Sequence, residues 1–346
     1  MSLLAVLRPS HPTGAHAIIG EPPPAGAGLS EHVADRDVGC RPCRRHIPET
    51  TLSVHPLALG CSSFGWTVSG ETSRRILDEH ASLGGNFLDT ADSYSAGRSE
   101  TMIGSWLGRR GGRDKMVIAT KIGRNLDNPG LSARSIMGAV DASLRRLGTD
   151  YLDLVYFHGD DPRIPLEESL GAMATIMQSG KVRYLGASNF SSERLMEARV
   201  LAANGLPRFS ALETEYSLVR RPVFEASLAL VTRAQGMAVM PYFPLAHGFL
   251  AGRYRNKADV GTDTRSQRAA RYLNRKNLRL IGLLDRIAAD HDVQPATIAL
   301  AWLLTRPGVL APVAGAGQPD QVEALVAAAG LRLARSDVLD LDRLSK

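Results

Sequence analysis

The stretch NFLDTADSY, residues 86 to 94, shows how the strands of this chain end. Phe87 and Leu88 form a short apolar run between a Gly-Gly pair and a polar segment, a pattern typical of a buried strand that ends in a loop. Asp89 then lies at the carboxyl end of the strand, and Tyr94 follows it closely. Because α/β folds place their chemistry at the carboxyl ends of strands, both side chains are candidates for a functional role.

Seven more short apolar segments accompany this one, at residues 56–60, 116–121, 152–158, 182–188, 209–214, 237–242 and 308–313. Segments with helical spacing separate them. Residues 132–148, for example, place apolar side chains at intervals of three or four residues, and Gly148 can end that helix. Eight strands that alternate with helices, without a G-x-G-x-x-G turn, predict an α/β fold closed into a (β/α)8 TIM barrel rather than an open Rossmann sheet.

The amino-terminal part of the chain differs from this rhythm. Residues 44–60 alternate apolar and polar and then become wholly apolar, which predicts a short N-terminal hairpin leading into the first strand. Residues 1–43 are rich in Pro, Gly and Ala without an amphipathic period, so we expect a loosely structured, irregular extension. The predicted organisation is therefore an extension at 1–43 and a barrel at 44–346.

Composition excludes several classes of protein. A chain of 346 residues with 44% hydrophobic content can bury one large core. The formal charge of +6 is spread along the chain, and basic clusters are not interleaved with aromatic residues, which argues against nucleic-acid binding and fits an anionic ligand such as a phosphorylated cofactor. With no apolar run of about 18 residues and no signal peptide pattern, we expect a cytoplasmic protein with no membrane span. The lone C-x-x-C pair, Cys40 and Cys43, predicts neither a metal site nor a disulfide framework.

Polar side chains follow three neighbouring strands: Asp89 and Tyr94 after the second, Lys121 at the third, and His158 after the fourth. In a barrel they would converge on one mouth, where they suit the reduction of a carbonyl. Hydride arriving at the carbonyl carbon leaves negative charge on oxygen, so an acid must donate a proton. We expect Tyr94 to be that acid, with a pKa lowered by the Lys121 ammonium; Asp89 would hold the lysine, and His158 would orient the carbonyl.

From about residue 44 to its end, the chain resembles the aldo-keto reductase superfamily. The matching stretches are residues 88–100, 117–123, 147–161, 180–190, 213–221 and 244–254. The resemblance implies a (β/α)8 barrel that uses a nicotinamide cofactor, usually NADPH, to reduce a small aldehyde or ketone to an alcohol without a metal. It also implies a catalytic tetrad with Tyr94 as proton donor, formed with Asp89, Lys121 and His158.

The resemblance also assigns cofactor and substrate contacts. Ser188 and Asn189 match residues that hold the carboxamide, and Tyr216 matches the aromatic that stacks on the nicotinamide. Trp66 matches an aromatic that lines the mouth, and the apolar side chain of Phe64 is a further candidate for the substrate pocket. The segment expected around the pyrophosphate contains Tyr242, Phe243, Pro244, Leu245, Gly248, Arg253 and Arg265, and the adenosine-phosphate segment contains Gly315, Gly317 and Gln321.

Three features depart from the family pattern. Glu213 replaces the usual glutamine near the carboxamide, and a carboxylate can accept the amide protons but cannot donate. Phe243 replaces a common serine. Positions 317 and 318 lack the Lys or Arg that usually holds a 2'-phosphate, so NADPH is the expected cofactor and NADH a second option, with Arg265 as a candidate to compensate.

Two other functions fit parts of this pattern. The potassium-channel β subunits share the barrel and its motifs and act as cofactor-binding regulatory partners. Turnover of a carbonyl by this chain would favour an enzyme over such a subunit. An aldolase-like barrel would use Lys121 as a Schiff-base nucleophile, which borohydride would trap.

Overall fold

The computed structural model describes residues 44–346, so the predicted extension and the C-x-x-C pair lie outside the described residues. Within this range, eight parallel strands close into a barrel, which confirms the predicted (β/α)8 fold. A two-stranded antiparallel hairpin precedes the barrel, as predicted. The hairpin strands are β1 (Arg45–His46) and β2 (Ser53–Val54), and the barrel strands are β3 (Ala58–Gly60), β4 (Phe87–Asp89), β5 (Val117–Ile122), β6 (Leu152–Phe157), β7 (Val182–Ser188), β8 (Phe209–Glu215), β9 (Ala238–Tyr242) and β10 (Val313–Ala314).

Helices connect the strands and surround the barrel. They are α1 (Gly70–Ser82), α2 (Arg98–Arg110), α3 (Ala133–Leu147), α4 (Leu166–Gln178), α5 (Ser192–Ala203), α6 (Pro222–Glu225), α7 (Leu228–Ala234), α8 (Thr264–Ala270), α9 (Arg275–Asp290), α10 (Pro295–Leu304), α11 (Gln321–Val326) and α12 (Arg335–Ser345). None of the helices in the described part of the chain is long and apolar enough to cross a membrane.

Helix α3 shows how local sequence sets the helix bounds. The side chain of Ser132 accepts a hydrogen bond from the amide of Ser135 and caps the first turn. Gly148 ends the helix in the left-handed region, with φ of 62°, where a residue without Cβ is favoured. The apolar positions that predicted the helix are buried, so the predicted boundaries and core face are confirmed.

The eighth barrel strand was predicted too early in the chain. The sequence indicated residues 308–313, but β10 is Val313–Ala314, and only an isolated bridge joins Val309 to Val239. Pro312 interrupts this segment because it has no N–H to donate to a ladder. The barrel therefore closes through a short strand that pairs with β3 on one side and β9 on the other.

Two apolar cores leave one end of the barrel free for a site. The larger core lies between the strands and the surrounding helices. The smaller one fills the barrel, where Ile47, Leu52 and Val54 of the hairpin segment pack with residues that begin several strands, among them Ala58 and Val117. Each such aliphatic side chain contributes about 1.5–3 kcal/mol when it is buried. The hairpin thus closes the amino-terminal end of the barrel, and the carboxyl end remains open.

Candidate active site

A cavity of about 880 Å³ opens at the carboxyl ends of the barrel strands. All four predicted tetrad residues line it, so the structure brings together side chains that the sequence spreads over some 70 positions. Asp89 is the last residue of β4, Lys121 is the inward residue near the end of β5, and His158 follows β6 directly. Their convergence follows from the parallel register, in which Lys121 pairs with Tyr156 of β6 and Asp89 with Ala119 of β5.

Tyr94 is placed by a strained turn after β4. The next two residues, Ser95 and Ala96, have φ of 52° and 55°, which is costly for residues with a Cβ. Several hydrogen bonds anchor the turn: the Ser95 hydroxyl donates to the Phe64 carbonyl at 2.8 Å, and the Asn125 amide donates to the Asp92 carbonyl at 2.6 Å. The turn therefore fixes the phenol beside His158, with ring centroids 5.9 Å apart and planes at 83°.

Lys121 is paired with two carboxylates. Its Nζ lies 2.5 Å from Asp89 Oδ1 and 3.1 Å from Glu213 Oε2. It also lies 5.3 Å from the Tyr94 ring centroid. Burial alone would lower the pKa of Lys121, but the charges of Asp89 and Glu213 raise it well above its ordinary value. A Schiff-base lysine needs the opposite shift, so the geometry argues against the aldolase alternative.

The predicted lowering of the Tyr94 pKa is wrong for the free protein. Burial raises the pKa of this phenol above its ordinary value; Lys121 opposes the rise through its charge and as a hydrogen-bond donor, while Asp89 and Glu213 add to it. Tyr94 consequently stays protonated, and the ammonium is in position to stabilise a phenolate once the proton has left.

His158 is a neutral imidazole. Burial, followed by the charges of Lys121 and Arg124, lowers its pKa to about 2. Its Nδ1 has no hydrogen-bond partner among the described residues. A neutral ring beside a phenol can hydrogen-bond a carbonyl oxygen without taking the proton that Tyr94 carries.

The residues predicted to hold the carboxamide lie side by side at the mouth. Ser188 ends β7, and Asn189 follows it with φ of 56°. The Asn189 amide donates to Ser188 Oγ and to the His158 carbonyl, each at 3.0 Å, and Tyr242 donates from its hydroxyl to Asn189 Oδ1 at 2.6 Å. This chain of hydrogen bonds connects the ends of β6, β7 and β9 along one wall of the cavity.

Tyr216 is not at the cavity, so its predicted role in stacking is corrected. Its side chain is 1% exposed, donates from its hydroxyl to Glu225 at 2.6 Å, and packs against Phe224 and Trp302 outside the barrel. Side chains alternate between the two faces of a strand. Glu213 points inward, so a residue three positions later faces outward, a signal that the sequence already contained.

Tyr242 is the aromatic side chain that lines the mouth instead. It is the last residue of β9 and pairs with Glu215, which shares a strand face with Glu213. Its position at a strand end and beside Asn189 makes it the better candidate to contact a flat ring.

The segment after β9 also lines the cavity, through Phe243, Pro244, Leu245 and Gly248. It is tightly coiled, with positive φ at Phe243, Ala246 and His247 as well as at Gly248. Arg265 lines the cavity and donates from Nε to the His247 carbonyl at 3.2 Å. Arg268 lines it too, and sequence reasoning did not single it out from the basic run around it.

Four other predicted residues lie away from the cavity. Phe64 is fully buried in the core, where only its carbonyl supports the Tyr94 turn. Arg253 is exposed and does not line the cavity. Gly317 and Gln321 also lie outside the lining, where the Gly317 amide donates a hydrogen bond to Gln321 at 2.9 Å. The burial of Phe64 corrects its predicted place at the substrate pocket, whereas the cofactor contacts of Arg253, Gly317 and Gln321 stay predictions. By contrast, Gly315 and Trp66 line the cavity, and Trp66 is 66% exposed at its edge.

Comparisons with known proteins agree with this geometry. The family model described as "Aldo/keto reductase family" matches residues 56–346. The protein tas of Escherichia coli K12 is 31% identical over 331 residues, covering 86% of this chain and 95% of its own length. An uncharacterized oxidoreductase, YrpG of Bacillus subtilis, is 34% identical over 83% of this chain and 91% of its own. The aldo-keto reductase yakc [NADP(+)] of Schizosaccharomyces pombe is 29% identical, with 87% and 90% covered.

Proposed function

Because the chain belongs to the aldo/keto reductase family, we propose that it reduces an aldehyde or ketone to an alcohol with NADPH, and that Tyr94 donates the proton. One observation supports this proposal above the others: Tyr94, Lys121, Asp89 and His158 share one cavity at the carboxyl ends of the strands. The cavity is large enough for a small substrate beside part of a cofactor, at about 880 Å³.

Each tetrad side chain has a distinct part in the proposed reaction. Tyr94 holds the proton, since burial keeps its phenol neutral. Lys121 remains charged beside Asp89 and Glu213 and stabilises the phenolate that forms when the proton leaves. His158, neutral and partly unpartnered, donates a hydrogen bond to the carbonyl oxygen. When bound, a reduced nicotinamide supplies the hydride to the carbonyl carbon.

The cavity suits a nicotinamide cofactor in shape and in chemistry. Two lining side chains have buried polar atoms without a hydrogen-bond partner among the described residues, His158 Nδ1 and Glu213 Oε2. Ser188 and Asn189 would hold the carboxamide, and Tyr242 would contact the ring. The coiled segment after β9 and the cavity-lining arginines, Arg265 among them, would bind the phosphates.

We propose NADPH as the preferred cofactor. Arg265 and Arg268 line the cavity, so they can take the place of the basic residues absent at positions 317 and 318. Guanidinium groups pair with phosphate through two parallel hydrogen bonds, which favours a cofactor with a third phosphate. The name of the Schizosaccharomyces pombe relative, which specifies NADP(+), supports the same choice.

Cofactor titration followed by a substrate panel tests the proposal. Trp66 lies at the cavity edge, so its fluorescence reports binding, and Trp66→Phe identifies the part of the signal that comes from that residue. We expect NADPH to bind more tightly than NADH. Arg268→Gln should reduce the difference between the two Kd values. Oxidation of NADPH is then followed with a set of aromatic, aliphatic and sugar-like aldehydes and ketones.

Turnover of at least one carbonyl, with one NADPH consumed per alcohol formed, is the expected outcome. Stoichiometric binding of NADPH without turnover of any carbonyl would contradict the enzymatic proposal and favour a regulatory, cofactor-binding role. Equal affinity for NADPH and NADH would contradict the role given to Arg265 and Arg268 but leave the reaction intact.

A further inference from the structure

Two buried carboxylates share one ammonium in the candidate site. Lys121, Asp89 and Glu213 are only 1%, 3% and 2% exposed. Lys121 donates hydrogen bonds to Asp89 Oδ1 at 2.5 Å and to the Thr90 carbonyl at 3.3 Å. Glu213 Oε2 lies 3.1 Å from the same ammonium but accepts no well-directed hydrogen bond from residues 44–346. The ammonium is thus committed to Asp89, and Glu213 is its weaker partner.

The charges of this cluster do not balance when every group is ionised. Two carboxylates and one ammonium leave one net negative charge that is shielded from water. The charged groups that act on Glu213 are the Lys121 ammonium and the Asp89 carboxylate on β4. The charge of Glu213 in turn acts on three phenols: Tyr94 on the turn, Tyr156 on β6 and Tyr242 on β9. An unpaired buried charge is costly, and taking up a proton removes it.

We propose that Glu213 holds a proton in the resting site, and that its ionisation at alkaline pH makes Tyr94 a weaker acid. The first half concerns the free protein alone, whereas the second half rests on the proposed reductase function. Glu213 is in this view a positioning residue, because it acts on the reaction through Tyr94. A neutral carboxyl also carries both a donor and an acceptor, as an amide does, so it can contact a carboxamide in both directions.

The electrostatics of the site agree in direction with this geometry. Burial raises the pKa of Glu213 to about 8; the charge of Asp89 adds to the rise, and Lys121 opposes it. Asp89 is raised in the same direction, but the short hydrogen bond from Lys121 favours its charged form, so the shared proton resides mainly on Glu213. An ionised Glu213 raises the pKa of Tyr94 further, which opposes transfer of its proton.

Carbon-13 NMR of the free protein tests the first half. Protein labelled at the glutamate side-chain carboxyl carbons is titrated between about pH 4 and about pH 10, a range that covers the ordinary glutamate pKa and the raised pKa of Glu213. We expect one resonance with a midpoint near 8, absent from Glu213→Gln and retained in Glu215→Gln, a matched change at the end of the same strand. Asp92, whose pKa is raised by burial to about 7, carries no label and does not interfere.

If every glutamate resonance titrates near its ordinary value of about 4.3, the first half is overturned. The titration of the unmodified chain gives this answer even if Glu213→Gln does not fold. A resonance near 8 that persists in a folded Glu213→Gln would equally overturn it.

The pH dependence of kcat tests the second half. As pH rises through about 8, we expect kcat of the unmodified chain to fall to a lower plateau, roughly tenfold or more below its neutral value, and to stay within about threefold up to pH 10 in Glu213→Gln. A merely structural role would lower kcat at every pH and leave the shape of the profile unchanged. Identical profiles for the two proteins would overturn the second half.

These tests separate failure of the inference from failure of the proposed function. If the chain turns over no carbonyl, the reductase proposal and the second half fall together, while the NMR titration still decides the first half. If carbonyls are reduced and both pH profiles coincide, the reductase proposal stands and the role of Glu213 in it is refuted.

Discussion

Replacing Lys121 with methionine tests whether its ammonium compensates the buried charge of Asp89. Methionine keeps the length and most of the volume of the lysine stem, so the main change is the loss of charge at Nζ, 2.5 Å from Asp89 and 3.1 Å from Glu213. Without the ammonium, Asp89 must either stay ionised without a partner or take up a proton. Both outcomes destabilise the fold at neutral pH.

An unpaired Asp89 carboxylate and a protonated Asp89 cost similar amounts of folding free energy at pH 7. Leaving one partner of a buried ion pair uncompensated costs about 3–5 kcal/mol. Protonating Asp89 in the folded variant costs about 1.4 kcal/mol for each pH unit above its unfolded pKa of about 3.9, hence about 4 kcal/mol at pH 7 and about 1.5 kcal/mol at pH 5. Since Glu213 already holds a proton in our proposal, it adds little to the difference in unfolding free energy between Lys121→Met and the unmodified chain.

The sign of the pH dependence follows from the direction of the shift. In Lys121→Met the folded pKa of Asp89 lies above the unfolded value, so the folded state binds the extra proton. Stability is then greatest below the unfolded pKa and decreases as pH rises toward the folded one. The difference in unfolding free energy between variant and unmodified chain should therefore grow by roughly 2–3 kcal/mol between pH 5 and pH 7.

Urea unfolding at the two pH values measures this difference. The matched control is the double variant Lys121→Met with Asp89→Asn, which removes the orphaned carboxylate and should make the loss of stability nearly independent of pH. A Lys121→Met protein whose loss of stability is the same at both pH values would refute the assigned charge balance.

Three further changes test other parts of the structure. His80 alone should make the unfolding free energy fall by about 1.4 kcal/mol per pH unit between about pH 6.5 and pH 3, because burial lowers its pKa to about 3 and only the unfolded state takes up its proton in that range. His80→Leu should reduce the slope of the unfolding free energy against pH by that amount in urea titrations. Gly186→Ala should destabilise the barrel by about 1–3 kcal/mol in the same assay, because its Cβ would lie 2.5 Å from the Tyr156 ring. Tyr242→Ala should raise the Kd for NADPH by roughly tenfold in a fluorescence titration, a loss of about 1.4 kcal/mol, whereas Tyr216→Phe should leave it unchanged.

Local sequence patterns predicted the fold and most of the tetrad. Each barrel strand is a short apolar run, and in a parallel barrel every run ends at the same mouth, so Asp89, Lys121 and His158 could be placed together without knowledge of the packing. The hairpin and helix α3 followed from alternation, helical spacing and capping. The misplaced eighth strand shows the limit of this reasoning, because an apolar run and a hydrogen-bonded strand differ at a proline.

Features that depend on three-dimensional packing could not be predicted in this way. The contact of Glu213 with Lys121 joins β8 to β5, and nothing local at either position indicates that both side chains reach one point. The direction of the Tyr94 pKa depends on how far the phenol is buried, which composition does not reveal. The misplaced Tyr216 is different, since counting strand faces from Glu213 would have shown that its side chain points out of the barrel.

The most direct test of the proposed reaction is a single-turnover measurement on Tyr94→Phe loaded with NADPH and mixed with a carbonyl that the unmodified chain reduces. We expect hydride transfer to slow by about 100-fold to 10,000-fold, the usual contribution of a general acid, while the Kd for NADPH stays within about threefold. Transfer at an undiminished rate in this variant would contradict the role of Tyr94 as proton donor.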